Sequence, residues 1–396
     1  MIAPLMQEAF HRTTSAGVWC VLMCVLWVSC VPYGMSGRQG RGADGIIVRV
    51  MIDKTSGGSV IDSERPMRIM YPNGMTATAV GPIVLDATST VGKMLVEPGG
   101  RPLRYNGAPY RGSIEICQSE GKILVINRVT VREYLMSVVP GEIPSKWGRE
   151  ALKAQAVAAR TYCYTHLYHA AGRRTLYDLS STTDSQVYRG MNVETPETTE
   201  AVAATDGEIL TYGDRPIVAY FHSTCGGKTS DAKFVWEHSD LPYLRSVECS
   251  YCAASPKFAW QTRLSREEVR SAFTRRYPTI SSIKGITLKK KHGRVVAVSV
   301  RHSRGTIVLR GNEFRLLFQP DRIKSLMFSS RVSGRDLIIT GYGWGHGVGM
   351  CQWGAKGMAD RGFSYREILA HYYSGVSLSG AKTIQVAHSR ERVKRR

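Results

Sequence analysis

The sequence predicts a mixed α+β fold, rich in strands, with a central alanine-rich helix that follows a proline-flanked loop carrying Glu142. Two observations carry that prediction. The first third alternates or clusters β-branched residues between Gly, Pro, Asn and Asp, which is the punctuation of short strands. The stretch "SKWGREALKAQAVAARTYCYTHLYHAAG" then switches to residues of high helix propensity, before strand-like text returns.

Taken in order, "IIVRVMI", "RPMRIMY", "GPIVLDA", "GSIEICQ" and "KILVINRVTV" read as strands from Ile46 onward. Pro144 and Ser145 make a start for the helix and Gly172 a stop. On that helix Leu152, Ala156, Ala159 and Cys163 form one stripe, and its small residues allow a close neighbour. Arg160 lies on the same helix; buried, it needs a carboxylate or several carbonyls, and exposed it is an ordinary solvated charge. "GEILTYGDRPIVAYFHSTCGG" reads as a hairpin turning at "GDRP", and "LSREEVRSAFTRRYP" as an amphipathic helix. "IKGITLKKKHGRVVAVSVRHSRGTIVLRG" supplies further hairpin strands and "SYREILAHYYSG" a short terminal helix. The organisation expected is an export or lipoprotein signal over 1–30, a linker over 31–45, a β-rich part over 46–113, a core over 114–380 and a basic tail over 381–396.

Of the 396 residues, 43% are apolar, enough for a sizeable core and against disorder. The 53 Lys and Arg against 32 Asp and Glu give a net charge of +21, which favours polyanionic surroundings: nucleic acid, an anionic membrane or an acidic wall polymer. The N-terminus narrows this. His11 and Arg12 precede "SAGVWCVLMCVLWVSC", which has the length of an export-signal core and is short for a bilayer span. "LWVSC" ending at Cys30 resembles a lipoprotein cleavage box, although Trp27 stands where a small aliphatic residue is usual; an uncleaved anchor is the alternative. Export places the chain in the cell envelope and argues against nucleic acid as its partner.

Three of the nine cysteines lie in that segment, leaving Cys117, Cys163, Cys225, Cys249, Cys252 and Cys351. Cys249 and Cys252 form a C-x-x-C pair, and His222 and Cys225 an H-x-x-C pair. Two such knuckles supply the four ligands of a tetrahedral zinc site, with disulfide bonding as the competing reading. Glu142 sits in "VVPGEIPSKW" between two prolines. At the positive end of the following helix it would be an ionised cap, whereas a pocket built from Val138, Val139, Ile143 and Trp147 would raise its pKa toward that of a general acid. The stretch "GYGWGHGVG" places glycine at every second position from Gly341 to Gly349; extended, it would align Tyr342, Trp344, His346 and Val348 on one face and leave the other bare. It fits neither phosphate-loop nor dinucleotide spacing. "DSQVYRG" (Asp184 to Gly190), His346 and Gln352 are further polar groups, and no serine elbow, paired-carboxylate signature or H-E-x-x-H is present.

"VREYLMSVVPGEIPSKWGREALKAQAVAARTYCYTH", followed by "DSQVYRG", "AYFHSTCGGKTSDAKFVW", "PYLRSV" and "GYGWGHGVGMCQWGAKGMADRGFSYREILAHYYSGV", resembles the sporulation stage II protein D (SpoIID) family of peptidoglycan lytic transglycosylases, from about Ile46 to about Val376. Relatives called amidase enhancers share the domain. The resemblance implies cleavage of the β-1,4 bond between N-acetylmuramic acid and N-acetylglucosamine in glycan strands stripped of stem peptides, with Glu142 as the single general acid and base. On this reading substrate contacts are expected at Arg160, Gln186, Tyr342, Trp344, His346 and Gln352, the alternating glycines letting a glycan lie close to the backbone. It also implies structural zinc at His222, Cys225, Cys249 and Cys252. The alternative it carries is a non-catalytic glycan binder that stimulates a partner amidase.

Overall fold

The computed structural model describes residues 45–87, 93–170, 175–236, 239–319 and 321–381. The export segment, Cys30, the linker apart from Gly45 and the basic tail beyond Ala381 lie outside the described residues. Among the described residues no helix is long and apolar enough to cross a membrane.

A seven-stranded sheet forms the first layer, in the order Leu179–Ser180, Ile47–Thr55, Lys122–Thr130, Ser113–Ser119, Met94–Glu97, Met67–Met70 and Thr76–Ala79. Its pairings are antiparallel except at one edge, where Val50 pairs in parallel with Leu179. That parallel bridge carries the loop after Ser180 toward the end of the first helix. The sheet draws strands from both sides of residue 113.

Seven helices are described: α1 (Val131–Glu142), α2 (Arg149–Ala170), α3 (Pro196–Ala204), α4 (Arg266–Arg276), α5 (Gly311–Leu317), α6 (Gln352–Ala359) and α7 (Tyr365–Tyr372). α1 starts at a capping box in which the Thr130 hydroxyl accepts from the Glu133 N–H and the Glu133 carboxylate accepts from the Thr130 N–H. It stops at Glu142 because Ile143 precedes Pro144 and is held extended, at φ −138° and ψ 150°. α2 begins at Arg149, four residues beyond the expected start at Ser145.

The alanines of α2 explain its place. Leu152, Ala156, Ala159 and Cys163 face one core, shared with the sheet and α1, while Ala154, Val157 and Ala158 face a second core, shared with α6 and α7. A helix buried on both sides needs small side chains to let both neighbours approach. A third core belongs to a module of residues 259–342 with two three-stranded sheets, α4 and α5. The chain returns from it through Gly341–Gly349, and Phe221–His222 then pairs in parallel with Met350–Cys351.

Candidate active site

Glu142 is the last residue of α1, so its carboxyl stands at the helix's negative pole and not at the positive end of α2. This corrects the expectation of a capping carboxylate. Gly141 lets the helix end come close to the 183–187 loop, since a Cβ there would stand 2.9 Å from the Val187 carbonyl oxygen. The Val187 N–H donates to Glu142 Oε1 at 3.0 Å. Burial pushes the Glu142 carboxyl above its ordinary range, against the Val187 N–H and the Gln352 amide, which both favour the carboxylate.

The carboxyl opens into a pocket of about 400 Å³ whose aromatic walls are Tyr162, Tyr220, Phe221 and Trp236. Val138, Val139, Ile143 and Trp147, expected to form those walls, do not line the pocket: the first three are buried in the core and Trp147 packs against it. Burial pushes the Tyr162 phenol up to about 12, so it stays a proton donor at neutral pH. Asp184 and Ser185 contribute the polar side, which places a second carboxylate in the pocket. Aromatic faces with polar groups between them suit a chain of sugar rings.

His346 lines the same pocket but has both ring nitrogens engaged. Nδ1 accepts from the Val348 N–H at 3.1 Å, which makes Nε2 the protonated nitrogen, 3.0 Å from the Phe221 carbonyl oxygen. Its expected role as a hydrogen-bond donor to substrate is therefore replaced by one that fixes Phe221 and the turn of the glycine segment. Burial lowers its pKa to about 4. Relative to an unfolded value of about 6.5, the folded chain binds fewer protons between these two values, so stability rises with pH across that window. The contribution is present above about pH 6.5 and lost as pH falls toward 4, up to about 3 kcal/mol. Denaturant titrations at several pH values are expected to show this loss, and His346→Gln to show a smaller one.

Gln352 is close to Glu142: its Nε2 lies 3.4 Å from the Glu142 carbonyl oxygen and 3.4 Å from Gln155 Oε1. Gln186 lines the pocket yet is buried, its Oε1 accepting from Tyr134 Oη at 3.2 Å, so it braces the loop. Arg160 does not line the pocket. It is fully buried and donates to the Val202 carbonyl at 3.0 Å and the Glu208 carbonyl at 3.2 Å, pinning the turn after α3.

Tyr342 and Trp344 also fall outside the pocket lining. Trp344 lies under the ammonium groups of Lys257 and Lys324, at 4.9 and 5.7 Å from the ring centre. The glycines between them serve protein packing and not ligand approach. A Cβ on any of the five would clash: at Gly349 it would stand 2.0 Å from the Tyr220 carbonyl oxygen, and at Gly347 2.6 Å from Arg294 Nη1. The segment is also not extended, since Gly343, Gly345, Gly347 and Gly349 have positive φ.

Behind the pocket the sulfurs of Cys225, Cys249, Cys252 and Cys351 all lie within 4.8 Å of one another, buried. Four sulfurs at 2.3 Å from a tetrahedral metal stand about 3.8 Å apart. Cys351 thus takes the fourth place that spacing assigned to His222. His222 is buried nearby, with Nδ1 3.1 Å from the Val348 carbonyl oxygen and Nε2 without a partner among the described residues. A neighbouring residue tests the fit to a metal. Arg294, fully buried, donates from Nη2 to the carbonyls of Cys225, at 2.7 Å, and Lys228, while its Nε and Nη1 have no hydrogen-bond partner among the described residues. Burial lowers its pKa to about 10, so it stays charged at neutral pH, and the Cys225, Cys351 and Cys252 thiols pull the other way. A divalent ion held by four thiolates carries net charge −2 and answers a lone buried guanidinium, which two neutral disulfides would not.

Glu142, Tyr162 and the 183–186 loop of this pocket lie in the stretch 119–212 matched by the model of the Stage II sporulation protein, and Tyr220, Phe221, Trp236 and His346 lie beyond it. The chain belongs to the SpoIID family. It is 34% identical over 273 residues to Stage II sporulation protein D of Bacillus amyloliquefaciens, covering 65% of this chain and 76% of that one. It is 37% identical over 275 residues to an uncharacterised protein of Brachyspira hyodysenteriae, covering 69% of this chain and 73% of that one. A protein of Bacillus subtilis named Amidase enhancer is 30% identical over 295 residues, 62% of this chain and 40% of its own length. A domain of unknown function matches residues 251–349, which include the module of the third core.

Proposed function

We propose that this chain is an exported peptidoglycan lytic transglycosylase with Glu142 as its general acid and base. The observation that supports this most is a carboxyl of raised pKa, poised against one backbone N–H inside the stretch matched by the family and opening into an aromatic-walled pocket. Protonated Glu142 donates to the glycosidic oxygen as the bond from C1 of N-acetylmuramic acid breaks. The resulting carboxylate takes the proton from the C6 hydroxyl of the same sugar, whose oxygen closes on C1. The products are a free 4-hydroxyl on N-acetylglucosamine and a 1,6-anhydro end, with no water consumed. Zinc at Cys225, Cys249, Cys252 and Cys351 would be structural, since four protein ligands leave no open position.

Two other outcomes have an observation behind them. Asp184 in the pocket is a second carboxylate of the kind that positions water in glycoside hydrolysis. The relative named Amidase enhancer favours a binder that stimulates a separate amidase. Mass spectrometry of stem-free glycan strands incubated with the chain separates all three. Anhydro ends are the expected result; reducing muramic ends would mean hydrolysis, and intact strands despite binding would mean the amidase-partner reading.

A further inference from the structure

The module of residues 259–342 carries its own cleft of about 580 Å³, with no residue in common with the Glu142 pocket. Its cations are Arg266, Arg270, Lys284, Arg331 and Arg335, against the single carboxylate Asp336. Asp336 is already paired with Arg263, and Arg270 with Glu267. Arg266, Lys284, Arg331 and Arg335 have no counter-ion among the described residues. Apolar groups stand between these charges, Val332 at 76% exposure.

Two sheet edges face this cleft. Met327–Ser333 is the outer strand of one three-stranded sheet and Ile283–Lys291 the outer strand of the other. Each presents backbone N–H and C=O groups that no neighbouring strand among the described residues takes up. Cations along an edge deter pairing with a second copy of this basic chain, and they invite a strand of opposite charge. A simple polyanion such as polyphosphate would account for the cations, but not for the open edges or the exposed valine.

We propose that this cleft docks an extended acidic segment of a partner protein, which adds as a strand along Met327–Ser333 while its carboxylates meet Arg266, Lys284, Arg331 and Arg335. Backbone bonds to the edge supply part of the affinity and the charges supply selection. The site is independent of the proposed glycan chemistry, because no residue of it belongs to the Glu142 pocket.

Fluorescence anisotropy of the full chain with a labelled peptide alternating Glu and Val tests the proposal. The peptide is expected to bind, and to bind at least about tenfold more weakly to the Arg331→Glu, Arg335→Glu double variant, whose exposed substitutions should leave the melting temperature unchanged. Methylating alternate backbone nitrogens of the peptide keeps its charge, removes its edge bonds and should weaken it by a similar factor. Absence of peptide binding would overturn the proposal. So would undiminished binding of the methylated peptide with polyphosphate bound as tightly, which would reduce the cleft to a charge patch.

Discussion

Glu142→Gln is expected to lower the rate of glycan cleavage by about a hundredfold to ten-thousandfold while leaving glycan binding within a fewfold of the parent. Gln keeps the shape of the side chain and an oxygen that can accept from the Val187 N–H, so the loop that it anchors should stay in place. What is lost is the exchangeable proton. The pH dependence follows from the direction of the shift. Because burial raises the Glu142 carboxyl above its ordinary value of 4.5, the acid form persists to higher pH than in an exposed glutamate, and kcat/KM should fall as pH rises through the raised value.

With pH, stability should follow activity downward, whereas the Glu142→Gln substitution should move the two in opposite directions. A carboxyl whose folded pKa lies above its unfolded one contributes stability fully below the unfolded value, and that contribution is lost as pH rises through the folded value. Above that folded value the parent bears the cost of a buried carboxylate and the Gln variant does not. Thermal melts should show Glu142→Gln at or above the parent at pH 7, with the two converging in acid. A variant that lost activity and melted well below the parent would show Glu142 to be a structural carboxylate.

How much of this site was legible in the sequence varied by residue, for physical reasons. Four strands of the first sheet (Ile47–Thr55, Met67–Met70, Ser113–Ser119 and Lys122–Thr130), the hairpin at Asp214 and the α2 stripe followed from local periodicity and turn chemistry, which the fold did not override, whereas Thr76–Ala79, Met94–Glu97 and Leu179–Ser180 carried no such signal. α1 was hidden because "SVVPGE" contains β-branched residues, a proline and a glycine, all poor helix formers; its hydrogen bonds are stabilised by burial of Tyr134, Leu135, Val138 and Val139. That one omission put Glu142 at the wrong pole of the wrong helix. The pocket walls Tyr220, Phe221 and Trp236 come from segments far along the chain and carry no local mark. The glycine alternation was conspicuous, but its cause is the proximity of Trp260, Thr224, His222, Arg294 and Tyr220, which spacing does not encode.

The fourth cysteine is the sharpest case. H-x-x-C spacing favoured His222, only three residues from Cys225, whereas Cys351 becomes a neighbour through the parallel pairing of His222 with Cys351. A chain distance of more than a hundred residues leaves no sequence signal beyond an unassigned buried thiol.

Cys351→Ser is accordingly expected to abolish stoichiometric metal binding, while His222→Ala retains it. Removing one thiolate from a closed tetrahedral site leaves three ligands, and the buried Arg294 then faces a poorer counter-charge. Loss of a structural metal should bring a large drop in melting temperature, reproduced in the parent by a strong chelator. Arg294→Met removes the guanidinium but keeps volume, and should weaken the metal by about tenfold to a hundredfold in chelator competition, as expected for an outer group that tunes its site. Metal analysis and thiol counting on the native protein decide the matter independently of activity. Four reactive thiols released only on chelation support the tetrathiolate, whereas two disulfides without metal would leave Arg294 buried beside neutral sulfur and overturn the assignment. The same result would show which link holds the molecule together here. The cysteines come from residues 225–252 and from the strand before α6, and Arg294 reaches them from the adjoining module, so a metal at this point ties three separate stretches of chain directly behind the wall that faces Glu142.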